Sequence, residues 1–247
     1  MAGHSKWATI KRAKEATDKK RANVFTRIAK DITNATRLGE SGDVNANSLL
    51  KVAVDKAKSV NMTSEKIEKA INRGLGITDG KDITFENTYE FYGPEGTAFI
   101  IDTETDNANR TIVDLKTLAS KIGLKMANEG SISWQFREIG HIFIEIEESV
   151  DSEELILEML DIPGIIDIKK EDDTSISIYT VRESFDTVVK TLKNDFSDRV
   201  NLKEFSLIKT TDNKKQLEGE LLARVEDIED QIQEIQEVVN IWTNYTK

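Results

Sequence analysis

His141-Ile142-Phe143-Ile144-Glu145-Ile146 sets Ile142, Ile144 and Ile146 on one face of a strand, because side chains two apart point the same way. Leu155 to Leu160 then reads as a short helix, and Ile165, Ile166 and Ile168 as a second strand. Ile176, Ile178 and Thr180 mark a third strand, Phe185, Val188, Val189 and Leu192 a second helix, and Leu202 to Ile208 a fourth strand. Pro163-Gly164 and Asp172-Asp173 punctuate the run as turns. The order is β-α-β-β-α-β, the ferredoxin-like arrangement, assigned here to residues 139–208.

Upstream, the period is 3.6. Val24, Phe25, Ile28, Ile32 and Ala35 line one helix face, and Arg27, Lys30, Asn34 and Arg37 fall on the opposite one. Gly39 and Glu40-Ser41-Gly42-Asp43 end that helix. Another follows with Leu49, Val52, Ala53, Ala57 and Val60 inward; Thr63 caps a further one that carries Ile67, Ala70 and Ile71 and closes at Gly74. Residues 1–79 therefore read as a helical bundle.

Between these regions, Tyr89, Phe91 and Tyr92 form a strand, Gly93-Pro94-Glu95-Gly96 a turn and Thr97 to Ile101 a second strand. A helix runs from Asn109 to Ile122 and stops at Gly123, and Ile132, Trp134 and Phe136 alternate as a further strand. The stripe Leu221, Val225, Ile228, Ile232 and Ile235 spans barely two heptads, so a helix packed on a sheet is favoured over a coiled coil. Val238 to Trp242 reads as a last strand. Residues 80–138 and 209–247 are thus expected to share a discontinuous α/β domain. The fold class is α+β and multidomain: a helical bundle, then two α/β domains, one of them ferredoxin-like.

Charge is unevenly distributed along the 247 residues. Residues 1–80 hold 16 basic and 9 acidic side chains, a net +7, and the remainder carries −18. Such a split points to a polyanion-binding module on an acidic body; the bland alternative is that basic and acidic helices pair with each other. Lys6, Lys11, Arg12, Lys14, Lys19, Lys20, Arg21, Arg27, Lys30 and Arg37 face only Glu15, Asp18 and Asp31 within the first 37 residues. Cations placed at phosphates release condensed counterions, so binding is expected to weaken steeply with salt. Trp7 suits either a stack on a base or an anchor for the first helix.

No enzyme is expected. The chain has no Gly-x-x-x-x-Gly-Lys loop, no Gly-x-Ser-x-Gly elbow and no His-Glu-x-x-His pair. It has no cysteine, and its two histidines, His4 and His141, fall in different domains. Asp102, Glu104 and Asp106 share a strand face that could hold a hard cation, but a solvated strand end is the commoner meaning of such a trio. No metal, cofactor or small-molecule substrate is expected. The first residues lack an apolar leader and no run reaches membrane-helix length, so a cytoplasmic location and no membrane partner are expected, with a monomer as the simplest state.

Ala2-Gly3-His4-Ser5-Lys6-Trp7, Lys11, Lys19-Lys20-Arg21 and Phe25 resemble the N-terminus of the YebC/PmpR family, which includes the mitochondrial translational activator of cytochrome oxidase. Asn61-Met62, Ala70-Ile71-Asn72-Arg73-Gly74, Tyr92-Gly93-Pro94, Asn109-Arg110-Thr111 and Gly130-Ser131 with Trp134 and Phe136 extend the resemblance along nearly the whole chain. It implies a three-domain, non-enzymatic factor. One description of the family makes it a translation factor relieving ribosome stalling at proline-rich stretches, with ribosomal RNA or tRNA as partner. The other makes it a DNA-binding transcriptional regulator at promoters. The sequence departs from the pattern at Ser48, where the family usually has proline, at Leu49, where it has arginine, and at Ala108, where one cation is missing.

Overall fold

The structure, a computed structural model, describes residues 24–77, 85–147 and 149–246. Their contacts divide into two units.

One unit takes residues 24–29, 85–136 and 211–246. Its strands are β1 (Phe85–Tyr92), β2 (Ala98–Thr105), β3 (Lys125–Met126) and β9 (Val238–Thr243), in the antiparallel order β3-β1-β2-β9. Helices α4 (Ala108–Ile122) and α7 (Gly219–Gln233) supply Leu115, Ala119, Val225, Ile228 and Ile232 to a core with Phe91, Phe99 and Ile101 of the sheet. The stripe on α7 is thus a sheet-packing face, and β9 pairs along β2 more than 130 residues away in sequence. A short parallel pair, β8 (Lys215–Gln216) with β10 (Tyr245–Thr246), closes the chain end. Gly123, at φ 81°, stops α4 in the left-handed conformation that glycine adopts without steric penalty.

The expected strand through Ile132, Trp134 and Phe136 is absent. Residues 127–136 form a loop with one 3₁₀ turn, Ser133–Gln135, which folds across the back of the sheet. There Ile132 is fully buried with Ala98 and Ile100 and against Phe136 and Trp242. Of the three apolar residues Ile132 is buried, Phe136 half-buried and Trp134 exposed, and the backbone bonds not to a strand but to the Glu90 carboxylate described below.

The other unit takes residues 30–77 and 137–210. Strands β4 (Arg137–Ile146), β5 (Ile165–Lys170), β6 (Ser175–Val181) and β7 (Val200–Thr210) pair antiparallel in the order β5-β6-β4-β7. Helices α5 (Ser152–Leu160) and α6 (Phe185–Asp195) cover one face. Ile142, Ile144, Ile176 and Ile178 are fully buried there with Leu155, Met159, Val188, Val189 and Leu192. Gly140 shares that face: a Cβ on it would stand 2.3 Å from the Phe185 ring. This is the ferredoxin-like order with its expected core.

Residues 24–38 form α1, followed by α2 (Ser48–Ser59) and α3 (Ser64–Gly74). Gly74 does not cap α3. It is the last helical residue, and a Cβ there would lie 2.5 Å from Thr36 Cβ and 2.7 Å from the Thr33 carbonyl oxygen, so its missing side chain lets α1 and α3 touch. Thr33 Oγ1 donates to the Ala70 carbonyl at 3.1 Å across the same contact. The left-handed residue is Gly76, φ 75°.

Ser48, where the family resemblance expects proline, is the first residue of α2 and exposed. Asn47 before it is extended (φ −118°, ψ 99°), the conformation that proline demands of its predecessor. Proline is tolerated at this position because the first helical N–H lacks an intrahelical acceptor. Ser48→Pro should therefore stabilise the chain by about 0.4–1 kcal/mol through the unfolded state. Urea unfolding reads this directly, and a loss of stability would refute it.

Candidate nucleic-acid interface

Of the cations that the sequence singles out, Lys6, Lys11, Arg12, Lys14, Lys19, Lys20 and Arg21 lie outside the described residues, as does Trp7. Arg27, Lys30 and Arg37 stand on α1. Arg37 is exposed and shares its side of the helix with Asn34, donating from Nη2 to Asn34 Oδ1 at 3.1 Å. Lys30 is half-buried. Arg27 is exposed yet fastened: Nε donates to the Val239 carbonyl at 2.6 Å and Nη2 to Gln233 Oε1 at 2.5 Å. The α1 cations thus differ in availability, with Arg37 presented to solvent and Arg27 fastened to α7 and β9.

The following helices add basic side chains that the reading of the first 37 residues passes over. Lys51 and Lys58 on α2 are exposed and seven apart, hence on one side of the helix. Lys66 and Lys69 of α3 are also exposed, interleaved with Glu65 and Glu68. Lys56 goes the other way. Its Nζ lies 2.8 Å from Glu204 and 3.5 Å from Asp31. Burial pulls its pKa down, but the two carboxylates outweigh that and raise it, so the charge is held and used internally.

A different surface centres on Glu90, a carboxylate 5% exposed in β1. Oε1 accepts from the Gly130 N–H at 2.8 Å, and Oε2 from Ile132 at 2.5 Å and Ser133 at 3.2 Å. Burial pushes this carboxyl up; the three backbone donors more than offset it and leave it below the ordinary range. The loop so fixed displays Trp134, 72% exposed, with its Nε1 donating to the Ser131 carbonyl at 3.0 Å. Tyr92 donates its hydroxyl to the same carbonyl at 3.3 Å. Two aromatic side chains are therefore anchored on one backbone oxygen, with the indole face open. The period-two pattern of Ile132, Trp134 and Phe136 hides this; Gly130-Ser131, a turn signal just before the apparent strand, is its local sign.

The acidic trio is dispersed. Asp102 accepts from Thr88 Oγ1 at 2.8 Å and Trp242 Nε1 at 2.6 Å, and Asp106 pairs with Arg110 at 2.8 Å. Among the described residues no group of three His, Cys, Asp or Glu stands ready for a metal ion, and no helix is long and apolar enough to cross a membrane.

Residues 5–77 match the family model for the TACO1/YebC protein N-terminal domain, and residues 84–245 match that for the TACO1/YebC second and third domain. The chain belongs to the TACO1/YebC family. A "probable transcriptional regulatory protein" of Chloroherpeton thalassium is 36% identical over 244 residues, covering 99% of this chain and 95% of that one. A protein of the same description from Borrelia garinii is 40% identical over 243 residues, with 97% and 96% covered. The crystal structure of a conserved hypothetical protein from Aquifex aeolicus superposes with a TM-score of 0.68 at 27% identity, covering 92% of this chain and 90% of that one. Membership in the TACO1/YebC family agrees with the helical region followed by two sheet-containing parts.

Proposed function

We propose that this chain is a non-enzymatic, cytoplasmic regulator of gene expression that binds nucleic acid through its basic N-terminal third and works as a monomer without metal or cofactor. The observation that carries the reading is the charge partition, +7 over residues 1–80 against −18 beyond. A basic segment grips phosphates, and an acidic body keeps the rest of the molecule off the polyanion. Promoter DNA is the first target, in keeping with the name that the relatives carry, "probable transcriptional regulatory protein".

Replacing Lys19, Lys20 and Arg21 together by glutamine should weaken binding to a promoter duplex. It should also flatten the salt dependence by about 0.9 in log–log slope for each phosphate no longer neutralised. An unchanged slope would defeat the proposal. Competition by random duplex decides whether sequence is read.

One observation favours a second reading, action on the ribosome as a translation factor relieving stalling at proline-rich stretches. Among the described residues, the α1 face of Arg27, Lys30, Asn34 and Arg37 comes nearest to a base-reading helix, but its Arg27 is bonded to Val239 and Gln233, and α3 alternates lysine with glutamate. Contacts confined to phosphates position without reading sequence, which suits a folded RNA of fixed shape. Co-sedimentation with ribosomes at low salt is the expected result on this reading, and its absence removes it.

A further inference from the structure

The second face of the ferredoxin-like sheet carries no helix from α5 or α6. Because Gly140, Ile142 and Ile144 point to those helices, His141, Phe143 and Glu145 of β4 point away. Register brings Tyr179 and Ser177 of β6 alongside His141 and Phe143, and Ser206 and Glu204 of β7 on the other side. The His141 and Tyr179 rings stand 5.2 Å apart at 31°, and His141 Nε2 lies 3.3 Å from Ser177 Oγ. All three aromatic side chains are half-buried although no helix of the ferredoxin-like motif lies over them. Along the β7 side α2 forms a wall, with Val52, Asp55 and Lys56 bordering a cavity of about 710 Å³ floored by His141 and Phe143. That volume falls within the roughly 300–1,000 Å³ usual for ligand sites.

We propose that this face binds unpaired bases of single-stranded RNA, with Phe143, His141 and Tyr179 as its stacking platform. The aromatics sit on the two central strands of a four-stranded β-α-β-β-α-β sheet, where four-stranded RNA-reading modules also place their base-stacking rings. The polar lining is complementary to RNA in two places. Glu145, Glu204 and Asn201 offer acceptors to base amino groups and to the 2′-hydroxyl, a donor that DNA lacks. Lys169, exposed, holds its ammonium 5.3 Å over the Tyr179 ring and marks the phosphate side. Glu145 and Glu204 pair with Lys203 and Lys56 at 2.8 Å each, which tempers their repulsion of a phosphate strand and leaves their remaining lone pairs to accept. Burial keeps the His141 pKa below its ordinary value although Glu204 and Glu171 pull upward, which leaves a neutral ring to stack. The site goes beyond the N-terminal phosphate grip and uses none of its residues.

The test is fluorescence anisotropy of the full chain with a labelled mixed-sequence 12-nucleotide RNA, the DNA of the same sequence and a duplex. Phe143→Leu with Tyr179→Leu removes two rings and keeps apolar volume, and a melting temperature near that of the parent certifies the fold. RNA affinity should fall roughly tenfold, the scale of one stacked base, with the salt slope unchanged. Tyr179→Phe should bind as the parent does, and the RNA should bind more tightly than the matching DNA. RNA affinity unchanged in the double variant, no RNA binding by the parent chain, or equal binding of RNA and DNA would each overturn the proposal. Lys19, Lys20 and Arg21 replaced by glutamine separate the two sites. If that triple variant binds the duplex as the parent does, the N-terminal reading alone sinks; if the Phe143 and Tyr179 variant binds RNA as the parent does, this one alone sinks.

Discussion

Glu90→Ala should destabilise the β1-β2-β9 unit by about 3 kcal/mol, a fall of about 10 °C in its melting temperature. The substitution removes one side chain, but it leaves the Gly130, Ile132 and Ser133 N–H groups without their acceptor beside a sheet that excludes water. A backbone donor stranded in this way costs about 1–3 kcal/mol, and bonds to a charged acceptor stand at the upper end of the range. Glu90→Gln should fall between parent and alanine, since its one oxygen can serve some of the donors while its amide N–H₂ opposes the rest. Amide exchange at Ile132 should accelerate in both variants, because that residue loses its bond and its seat in the core together. A melting temperature within a degree or two of the parent would show that the loop holds itself.

The same carboxylate sets a pH dependence. Its pKa in the folded chain lies below the ordinary 4.5, so the unfolded chain takes up the proton first as pH falls. The stability that Glu90 contributes is full above that ordinary value and drains away as pH drops through the folded one. The parent should lose stability across this acid window more steeply than Glu90→Gln does, by the share that this single group supplies.

Glu90 also marks where sequence reasoning stops. Tyr89, Glu90 and Phe91 look like ordinary alternation in a strand, and nothing local says that the polar member is buried. Its partners lie 40 to 43 residues downstream, in a segment whose own apolar period imitates a strand. By contrast, the β-α-β-β-α-β order was legible because the central strands β4 and β6 each bury a single isoleucine-rich face and two of the turns carry their own punctuation, Pro163-Gly164 and Asp172-Asp173. The two-residue strand β3 is too short to show any period. At the candidate interface the charge bias could be read from composition, but the pairing of each cation could not. Lys56 finds Glu204 and Arg27 finds Val239 only through tertiary folding, across 148 and 212 residues. The aromatic face of β4 and β6 was hidden for a related reason. Helix-facing isoleucines drew attention to one side of the sheet, and the other side gains meaning only when register sets His141 beside Tyr179.

Asn47→Asp should cost about 2–3 kcal/mol, although aspartate and asparagine are equally good helix N-caps. Asn47 caps α2 by accepting from the Leu50 N–H at 3.1 Å, and aspartate would keep that bond. The asparagine does more, however. It is fully buried, and its Nδ2 donates to the Ala35 carbonyl at 3.0 Å and the Ser41 carbonyl at 2.9 Å, tying the end of α1 to the start of α2. A carboxylate in that position would aim lone pairs at two carbonyl oxygens in a site without water, and an unpaired buried polar group carries a penalty of this size. Gly39 explains why the site accepts nothing larger, since a Cβ there would fall 2.2 Å from Asn47 Nδ2. Gly39→Ala should therefore be costly alone and cheaper in an Asn47→Ala background, where the obstructing amide is gone; such coupling between touching residues reaches about 0.5–3 kcal/mol. Urea unfolding of the four chains of that cycle, with Asn47→Asp beside them, measures both effects. If the aspartate variant stays within about 0.5 kcal/mol of the parent, capping accounts for Asn47 and the two Nδ2 bonds between α1 and α2 add little.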